Sequence, residues 1–329
     1  MTGATTTLIV TADDDSTADL VNDALAVQGG KAVRIDVGDF PISLSVTGTI
    51  GDDGIWCGEV VATDGTVLDL GTIDAVYYRR PTRFRLPDHL SPADRRFAEA
   101  EAHRGLGGLL TTLPARWVSH PARIADAEAK PGQLQLAAAC GFRLPRTLIS
   151  NDPDRVRGFA GEITGPLVYK PLSSGILREP DGLRAIYATR IEAAGIDDWL
   201  DPDAIRLAPH QFQECVTDKA YDLRVTAVGD RLFPIAIHTA DPEQLDWRTD
   251  YGTLTYQHVE LRTDVAAVIH RYLAAAGLAF GAFDFIMDQA GMLWWMECNP
   301  NGEWGWLTEC IDVPIAEALA ELLLGQSPL

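Results

Sequence analysis

The chain has 329 residues, of which 47% are hydrophobic and 22% charged, as expected for a soluble globular protein of two or three domains. Its 27 basic and 47 acidic residues give a formal net charge of −20. That charge argues against non-specific binding to nucleic acid or to an anionic membrane, because both require a positive surface. Any anion that this chain binds must therefore meet lysines and arginines that are clustered locally.

The beginning of the chain and its cysteines indicate a reduced cytoplasmic protein. Residues 1–7 lack a basic signal-peptide start, and Leu8-Ile9-Val10 is too short for a signal core. No run approaches the roughly 18 apolar residues that a membrane span requires. The five cysteines are scattered, odd in number and without a CxxC pair, so we expect buried thiols rather than disulfides.

The chain opens with the elements of a parallel α/β layer. An apolar strand at 6–11 precedes a helix that Ser16-Thr17 can cap and that ends near Gly29-Gly30, and a second strand follows at 31–37. This strand–helix–strand order is typical of a parallel sheet. No GxGxxG loop is present, so a dinucleotide site has no support.

Residues 42–70 indicate a different arrangement, because three β-rich runs are separated there by Gly51-Asp52-Asp53-Gly54 and Asp64-Gly65. Short glycine-containing links of this kind predict an antiparallel meander. A further strand at 75–78 runs into Arg79-Arg80-Pro81. Adjacent arginines at a strand end are usually solvated or paired with acids, but in so acidic a chain they are also candidates for an anion contact.

A helix beginning at Ser91-Pro92 leads to an expected domain boundary near residue 120. One linker helix carrying Lys130 is then expected from residue 125 to Cys140, where Gly141 ends it. The remaining predicted elements are a strand at 144–149, a helix begun by Asn151-Asp152-Pro153, a strand at 166–171 that delivers Lys170, the loop Leu172-Ser173-Ser174-Gly175, strands at 212–216, 218–228 and 231–238, a helix capped by Asp264 and ended by Gly277, and a final amphipathic helix at 315–323.

Between the last two helices, the sequence predicts a hairpin with a cation site. Two apolar runs are joined by Asp288-Gln289-Ala290-Gly291, and alternation places Asp284 on the face opposite its phenylalanine neighbours. Glu297 and Asn299 are two residues apart, so they project from one face. Two carboxylates and one amide carbonyl suit magnesium carried in with nucleotide phosphates. The alternative is an edge hairpin whose polar residues simply face water.

Several scattered features are those that a nucleoside triphosphate requires. Lys130 and Lys170 can supply positive charge to the α- and β-phosphates, and the strand backbone near Glu214 and Val216 can bond an adenine edge. A divalent cation must then neutralise the phosphate charge. The chain contains no GxxxxGK[ST] sequence, so it is not a P-loop enzyme.

Taken in this order, the features resemble the ATP-grasp superfamily and, within it, the graspetide (microviridin-type) maturases of ribosomal peptides. The resemblance covers nearly the whole chain. It rests on Leu8-Ile9-Val10-Thr11, residues 13–15, Arg34-Ile35-Asp36, Asp39-Phe40-Pro41, Tyr78-Arg79-Arg80-Pro81, Trp117-Val118-Ser119-His120-Pro121, Lys130 with Gln133-Leu134, residues 137–141, Leu144-Pro145-Arg146-Thr147, Phe212-Gln213-Glu214, Asp222-Leu223-Arg224-Val225, Asp246-Trp247-Arg248, Asp284-Phe285 and residues 297–304.

The resemblance implies an α/β (α+β) ATP-grasp fold in three parts. These are an N-terminal pre-ATP-grasp α/β domain at 1–120, a small central α+β subdomain at 121–210, and a C-terminal antiparallel-sheet subdomain with a magnesium-binding hairpin at 211–329. One departure concerns the loop after Lys170, which is often glycine-rich in ATP-grasp ligases but reads Ser173-Ser174-Gly175 here.

The resemblance also implies roles for individual residues, with ATP lying between the central and C-terminal parts. The implied ATP-binding residues are Lys130, Lys170, Gln213, Glu214, Val216, Lys219 and Asp222. The implied magnesium ligands are Asp284, Glu297 and Asn299. Arginines aimed at the reacting centre are also required, and Arg224 and Arg248 are the candidates, although Arg248 can instead pair with Asp246 or Asp250. Arg79, Arg80 and His238 are candidate substrate contacts, and His238 is equally compatible with a structural role.

The implied reaction activates an Asp or Glu side chain of a precursor peptide as an acylphosphate. A Thr or Ser hydroxyl or a Lys amine of the same peptide then displaces phosphate, closing an ester or amide ring. The implied partners are that peptide and a second copy of the chain in a homodimer, with ATP and Mg²⁺ as cofactors and no nucleic acid or membrane. The alternatives are a RimK-like ligase acting on a free amino acid or small amine, and an inactive ATP-binding scaffold.

Overall fold

The computed structural model describes residues 4–173, 176–179, 182–186, 188–241, 244–249 and 251–327. Its strands are β1 (Thr6–Val10), β2 (Lys31–Ile35), β3 (Leu44–Ile50), β4 (Trp56–Ala62), β5 (Val67–Asp69), β6 (Ala75–Tyr78), β7 (Arg116–Val118), β8 (Thr147–Ser150), β9 (Pro166–Lys170), β10 (Ile176–Glu179), β11 (Gly182–Ala185), β12 (Thr189–Glu192), β13 (His210–Glu214), β14 (Lys219–Val228), β15 (Arg231–His238), β16 (Thr255–His258), β17 (Phe280–Asp288) and β18 (Leu293–Asn299).

The α-helices are α1 (Ser16–Val27), α2 (Pro92–Thr111), α3 (Pro121–Glu128), α4 (Lys130–Cys140), α5 (Pro153–Glu162), α6 (Ile196–Trp199), α7 (Pro202–Leu207), α8 (Thr263–Ala276), α9 (Gly305–Cys310) and α10 (Ile315–Leu323). In the part of the chain that the structure describes, no helix is both long and apolar enough to cross a membrane. The loop residues Ser174 and Gly175 lie outside the described ranges.

The first part of the chain is built on a parallel sheet with strand order β2-β1-β6-β7, as the strand–helix–strand pattern predicts. Asp15, not Ser16 or Thr17, occupies the cap position of α1, and its carboxylate accepts the Ala18 N–H at 3.2 Å. The prediction was wrong because Ser16 is already helical and the Thr17 hydroxyl donates instead to Glu303, 286 residues away.

The predicted meander is confirmed as a three-stranded antiparallel sheet with order β3-β4-β5. Its buried face shares a core with α2 and the parallel sheet, in which Leu8, Val60 and Leu106 are at most 2% exposed. Ser91 caps α2 and Pro92 is its first residue, as the sequence predicts. The parallel sheet is therefore covered on this side by the meander and its helix.

The linker is two helices, α3 and α4, where one was expected. Ala129 between them is extended, with φ −70° and ψ 102°. Pro131 supplies the physical reason, because inside a continuous helix its ring would clash with the carbonyl of residue 127 and it has no N–H to donate. The chain therefore breaks and restarts at Lys130, and Gly141 ends α4 at φ 99°, as predicted.

The centre of the chain forms an antiparallel sheet with order β12-β9-β13-β8, and α5 packs beneath it. Asp152 caps α5 through the N–H of Asp154, in agreement with the predicted helix start. Lys170 ends β9 and pairs in register with Gln211 of β13. This sheet carries the segment from Gln213 to Val216 along its exposed end.

The last part is a five-stranded antiparallel sheet with order β16-β15-β14-β17-β18, so the predicted hairpin is confirmed and β18 is an edge strand. Phe283, Phe285 and Trp295 lie on one face, in a core with α4 and α8. The opposite face is packed against α10 and α1 at one end and carries Arg224 and Asp284 at the other. Arg224 and Asp284 therefore lie on the part of this face that α10 and α1 do not cover.

Asp264 does not cap α8, which was the prediction. The helix begins at Thr263, and Arg262 is its cap residue without a capping side-chain bond. The Asp264 carboxylate instead pairs with Arg262, whose Nε donates to it at 3.0 Å. Gly277 ends the helix at φ 66°, as predicted.

Candidate active site

Two cavities adjoin the ends of the central and C-terminal sheets. The smaller cavity encloses about 510 Å³ and has apolar walls formed by Val168, Ile286 and Met296, with the strand segment at 213–217 along one side. The larger cavity, about 1300 Å³ and partly open to solvent, is lined by charged groups that include Lys130, Arg224, Arg248 and Glu303. A flat apolar group fits the first cavity and an anionic group fits the second.

The polar edge of the small cavity is the backbone that leaves β13. Gln213 is buried and fixed at both ends of its amide, since Oε1 accepts from Lys170 at 2.8 Å and Nε2 donates to Thr147 Oγ1 at 3.0 Å. The N–H groups of Glu214 and Cys215 bond Arg146 and Pro166. The Val216 N–H bonds no other described residue. It is therefore free to bond a purine edge between the apolar walls.

Lys170 places its ammonium where the small cavity meets the charged groups. Burial, together with the nearby charges of Lys130 and Arg248, lowers its pKa, against the opposing influence of Glu297 and Asp246. A buried ammonium with a lowered pKa is stabilised by an incoming anion, so a phosphate at this point would favour the charged form. Lys170 and Lys130 belong to different elements, and Glu297 influences both.

The proposed metal ligands meet on one face of the hairpin. Asp284 is paired in register with Glu297, and Ala282 with Asn299, so the three polar side chains project together. The Asn299 amide Nδ2 lies 3.1 Å from Asp284 Oδ2 and 3.2 Å from Glu297 Oε1. Hard oxygen donors of this kind fit Mg²⁺. Within the described ranges no group of three or more His, Cys, Asp and Glu side chains could hold a metal ion, and the candidate site consists of two carboxylates and one amide.

Each of the two carboxylates has a basic partner. Lys130 Nζ lies 2.7 Å from Glu297 Oε2, and Arg224 Nη1 lies 2.8 and 2.7 Å from the two oxygens of Asp284. Burial alone would raise both pKa values, but Lys130, Arg248 and Lys170 hold the pKa of Glu297 well below its usual range. For Asp284, burial and the charge of Glu297 outweigh Arg224, so its pKa is raised. A divalent cation between them would oppose the rise in the pKa of Asp284.

The two candidate catalytic arginines differ in their freedom. Arg224 is buried, and its Nη2 also donates to the Glu303 carbonyl at 2.9 Å. Arg248 is half exposed in the large cavity and donates from Nε and Nη2 to Asp246, both at 2.8 Å. The expected alternative partner Asp250 lies outside the described residues. Both guanidinium groups therefore reach the wall where an acyl or phosphoryl anion would stand.

Lys219 and Asp222 form a buried ion pair at 2.9 Å beside the small cavity. Burial raises the pKa of Asp222 to about 6, although Lys219 opposes the shift. Lys219 Nζ also donates to the Gln244 carbonyl and is one of the residues that line the small cavity. Asp222 holds this ammonium in place.

The three candidate substrate contacts have different positions. Arg79 is 2% exposed and is enclosed by Asp15 and Glu303, whereas Arg80 is half exposed and lines the large cavity. His238 packs against Tyr221 with ring centroids 5.3 Å apart and lines neither cavity. The structure thus brings Arg80 to the other candidate site residues and places Arg79 behind them, but it does not bring His238 there.

Two further residues support the site without having been assigned a role. Gln133 donates from Nε2 to the Cys298 carbonyl at 2.8 Å and accepts the Cys298 N–H at 3.2 Å, so it holds β18 between two candidate ligands. Glu303 follows the same strand and contacts Arg79 and Arg80. Gln133 stands one helical turn after Lys130, a polar position on an inward face that could have indicated its role.

Comparison with known proteins supports a relationship over the whole length. The family model of the MvdD pre-ATP grasp domain matches residues 6–125. The macrocyclase MdnC from Microcystis aeruginosa MRC, bound with precursor peptide MdnA, is 28% identical with a TM-score of 0.84, over 97% of this chain and 99% of that one. No curated protein sequence matches the chain.

Two structures that are less similar in sequence also agree in fold. A Chryseobacterium gregarium RiPP-associated ATP-grasp ligase, in complex with ADP and a leader and core peptide, is 24% identical with a TM-score of 0.88 over 98% of both chains. The ATP-grasp ligase PsnB, complexed with a phosphomimetic variant of its minimal precursor, Mg and ADP, is 23% identical with a TM-score of 0.75, again over 98% of both chains.

Proposed function

We propose that this chain is an ATP-grasp ligase of the graspetide-maturase group and that it cross-links a ribosomally made precursor peptide through side-chain esters or amides. The predicted ATP-grasp fold and ATP-dependent ligase activity are confirmed by the family match and the related structures. ATP is the cosubstrate and Mg²⁺ the metal, in keeping with the ADP and Mg held by related structures.

The observation that carries the proposal is the junction of the two cavities. The apolar slot beside Val216 suits adenine, and the charged cavity beyond Lys170 is wide enough for a peptide segment. Between them stand the lysines and the carboxylates that a triphosphate with its cation requires. When bound, Mg²⁺ would be held by Asp284, Glu297 and Asn299 and would neutralise charge on the phosphates.

The reaction proceeds in two transfers. A carboxylate oxygen of a peptide Asp or Glu attacks the γ-phosphorus of ATP, giving an acylphosphate and ADP. A hydroxyl or amine of the same peptide then attacks the acyl carbon, the C–O bond to phosphate breaks, and the nucleophile's proton leaves with solvent or phosphate. Arg224 and Arg248 stabilise the anions that meet at the reacting centre, and Arg80 contacts the peptide in the large cavity. Each ring removes one water from the peptide.

The test uses the purified protein, ATP, Mg²⁺ and, as the candidate precursor, any short peptide rich in Thr and Asp or Glu that a neighbouring reading frame encodes. We expect the peptide to lose the mass of one water for each ring, with one ADP released per ring. If the peptide mass is unchanged while free amino acids stimulate ADP release, the RimK-like alternative is correct. If neither occurs while ADP binds, the chain is an ATP-binding scaffold.

Three expectations remain proposals in their own right. The division at residues 1–120, 121–210 and 211–329, the homodimer and the cytoplasmic location were all inferred from the sequence. Light scattering of the purified protein measures the oligomeric state directly, and limited proteolysis measures where the boundaries fall.

A further inference from the structure

The loop after the ligand strand is anchored to the first domain by one carboxylate. The loop comprises residues 300–303, between Asn299 at the end of β18 and the start of α9. Glu303 Oε2 lies 2.5 Å from Arg79 Nη2 and 2.9 Å from Arg80 Nη1, and its Oε1 accepts the Thr17 hydroxyl. Thr17 and Arg79 both belong to the first 120 residues, so this single side chain connects the two ends of the chain.

The Glu303 carboxylate is saturated with hydrogen-bond donors. Besides Thr17 and the two arginines, the N–H groups of Trp304 and Gly305 donate to Oε1, both at 3.2 Å. A carboxylate offers about four lone-pair positions, and all of them are engaged here. Although Glu303 lines the large cavity, it has no acceptor capacity left for a substrate proton or a metal ion. The geometry of the Glu303 carboxylate therefore suits a residue that positions its neighbours, and it excludes a general acid, a general base or a metal ligand.

The first-domain end of this connection is fixed. The Arg79 side chain is 1% exposed and its Nε donates to Asp15 at 2.6 Å. The Arg79 carbonyl accepts from Asn301 of the loop. Trp304, the next residue after Glu303, is fully buried in the core that contains Ile9 and Val21. The loop is therefore tied to the parallel sheet by charge, by a backbone contact and by packing.

The other end of the connection reaches the chemistry. The Glu303 carbonyl accepts from Arg224 Nη2 at 2.9 Å, while Arg224 Nη1 bonds Asp284. Gly302 packs so tightly that a Cβ there would lie 2.6 Å from Ala282 Cβ and 3.1 Å from Arg224 Nη2. A displacement of the loop toward the sheet would therefore push on Arg224 or on the strand that carries Ala282 and Asp284, and a displacement away from it would break the bond to Arg224.

We propose that Glu303 is a positioning residue: by bonding Arg79 and Thr17 it holds the 300–303 loop against the first domain and so orients Arg224 beside Asp284. The expected effect on turnover rests on the proposed ligase reaction. The adenine slot does not include Glu303, so we expect the affinity for ADP in the absence of Mg²⁺ to be independent of this residue.

The first test compares Glu303→Gln with Glu321→Gln. Glu321 is a matched control, because its side chain is 34% exposed against 35% for Glu303 and it also pairs with an arginine, Arg231 at 3.0 Å. We expect Glu303→Gln to lower kcat about 10- to 100-fold, since small misplacements of catalytic groups cost this much, while the Kd for ADP measured without Mg²⁺ changes less than about twofold. Glu321→Gln should leave both constants unchanged. Equal kcat values for the two variants would overturn the proposal, as would a parallel loss of ADP affinity.

A second variant acts from the first domain. Thr17→Val keeps the side-chain volume and removes the hydroxyl that bonds Glu303. We expect a smaller loss of kcat in the same direction, and a Thr17→Val/Glu303→Gln double variant no slower than Glu303→Gln alone, because both changes break one connection. Additive losses of kcat would mean that Thr17 and Glu303 act separately.

A third measurement needs neither peptide nor turnover. Hydrogen exchange in the apo protein should be about tenfold faster across residues 302–305 in Glu303→Gln than in Glu321→Gln, because the Trp304 and Gly305 N–H groups lose a charged acceptor. If the wild-type protein cross-links no peptide, the proposed function is wrong. Hydrogen exchange and ADP binding would still test whether Glu303 holds the 300–303 loop in place. Unchanged exchange in an active wild-type background removes the positioning role alone.

Discussion

At the scale of single residues, the site separates chemically similar groups by their surroundings. Asp284 and Glu297 are opposite one another across two strands, yet the pKa of one is raised and that of the other is lowered. The difference follows from the neighbouring charges. Lys130 and Lys170 lower the pKa of Glu297, whereas burial and the negative charge of Glu297 raise the pKa of Asp284 more than Arg224 lowers it. Glu297 is therefore the more acidic of the two carboxylates.

Glu297→Gln should abolish turnover while the protein stays folded. The amide keeps the size of the side chain but removes the negative charge that a cation and Lys130 both require. In a thermal-shift assay with ADP, adding Mg²⁺ should raise the Tm of the wild-type protein further, and this magnesium increment should be absent in the variant. Turnover at the wild-type rate would remove Glu297 from the metal site.

At the scale of secondary-structure elements, the edge strand β18 is held by a helix. Gln133 of α4 bonds both the N–H and the carbonyl of Cys298 and also donates to the Ala127 carbonyl at 2.6 Å. Its amide thus takes the place that a neighbouring strand would occupy, and the Trp295 N–H bonds the Arg143 carbonyl on the same edge. The backbone groups of Trp295 and Cys298 on this edge are consequently hydrogen-bonded although no strand lies beside them.

Gln133→Leu should lower the free energy of unfolding by about 2–4 kcal/mol, because it leaves the buried Cys298 N–H and carbonyl without partners. Gln211→Leu is the control: Gln211 is 4% exposed and its Oε1 has no hydrogen-bond partner among the residues that the structure describes, so an apolar replacement should be neutral or stabilising. Urea titrations of both variants measure the difference. Equal stabilities would show that the Gln133 contacts contribute nothing to β18.

At the scale of the whole molecule, an ion-pair network and a shared core join the two ends of the chain. Ile9 and Val21 from the first strand and helix pack with Trp304 and Leu319 from the last elements. Asp15 and Glu303 bracket Arg79 beside this core. Burial opposes their ionisation, but Arg79 and the Thr11 and Thr17 hydroxyls outweigh it, so both pKa values are lowered.

Acid should therefore loosen the connection between the chain ends. A carboxyl whose pKa is lower in the folded state stabilises the protein above its unfolded pKa, 3.8 for Asp15 and 4.5 for Glu303, and loses that contribution as the pH falls through the folded value. Between pH 5 and pH 3, the Tm of the wild-type protein should fall more than that of Glu303→Gln. Parallel Tm profiles would show that Glu303 does not titrate in this way.

Much of the local structure followed from the sequence because its causes are local. Asp152, Ser91 and Gly141 act on their immediate neighbours, and alternation along the hairpin placed Phe285 inward and Glu297 outward. The helix starts that were predicted wrongly, at Asp15 and Arg262, were those where a side chain had a partner that competed with the cap. Pro131 is a local signal for the break at Ala129, and the prediction overlooked it.

The sequence by itself determined the elements, the kind of chemistry and the residue types that could perform it. Only the tertiary structure decided which of two adjacent arginines faces the cavity: Arg79 is enclosed by Asp15 and Glu303, and Arg80 is left at the wall. The same holds for His238, which packs on Tyr221, and for Gln133, which holds a strand 165 residues away. Local preferences act over a few residues, whereas an ion pair between residues 79 and 303 forms only once packing has brought the two ends of the chain together.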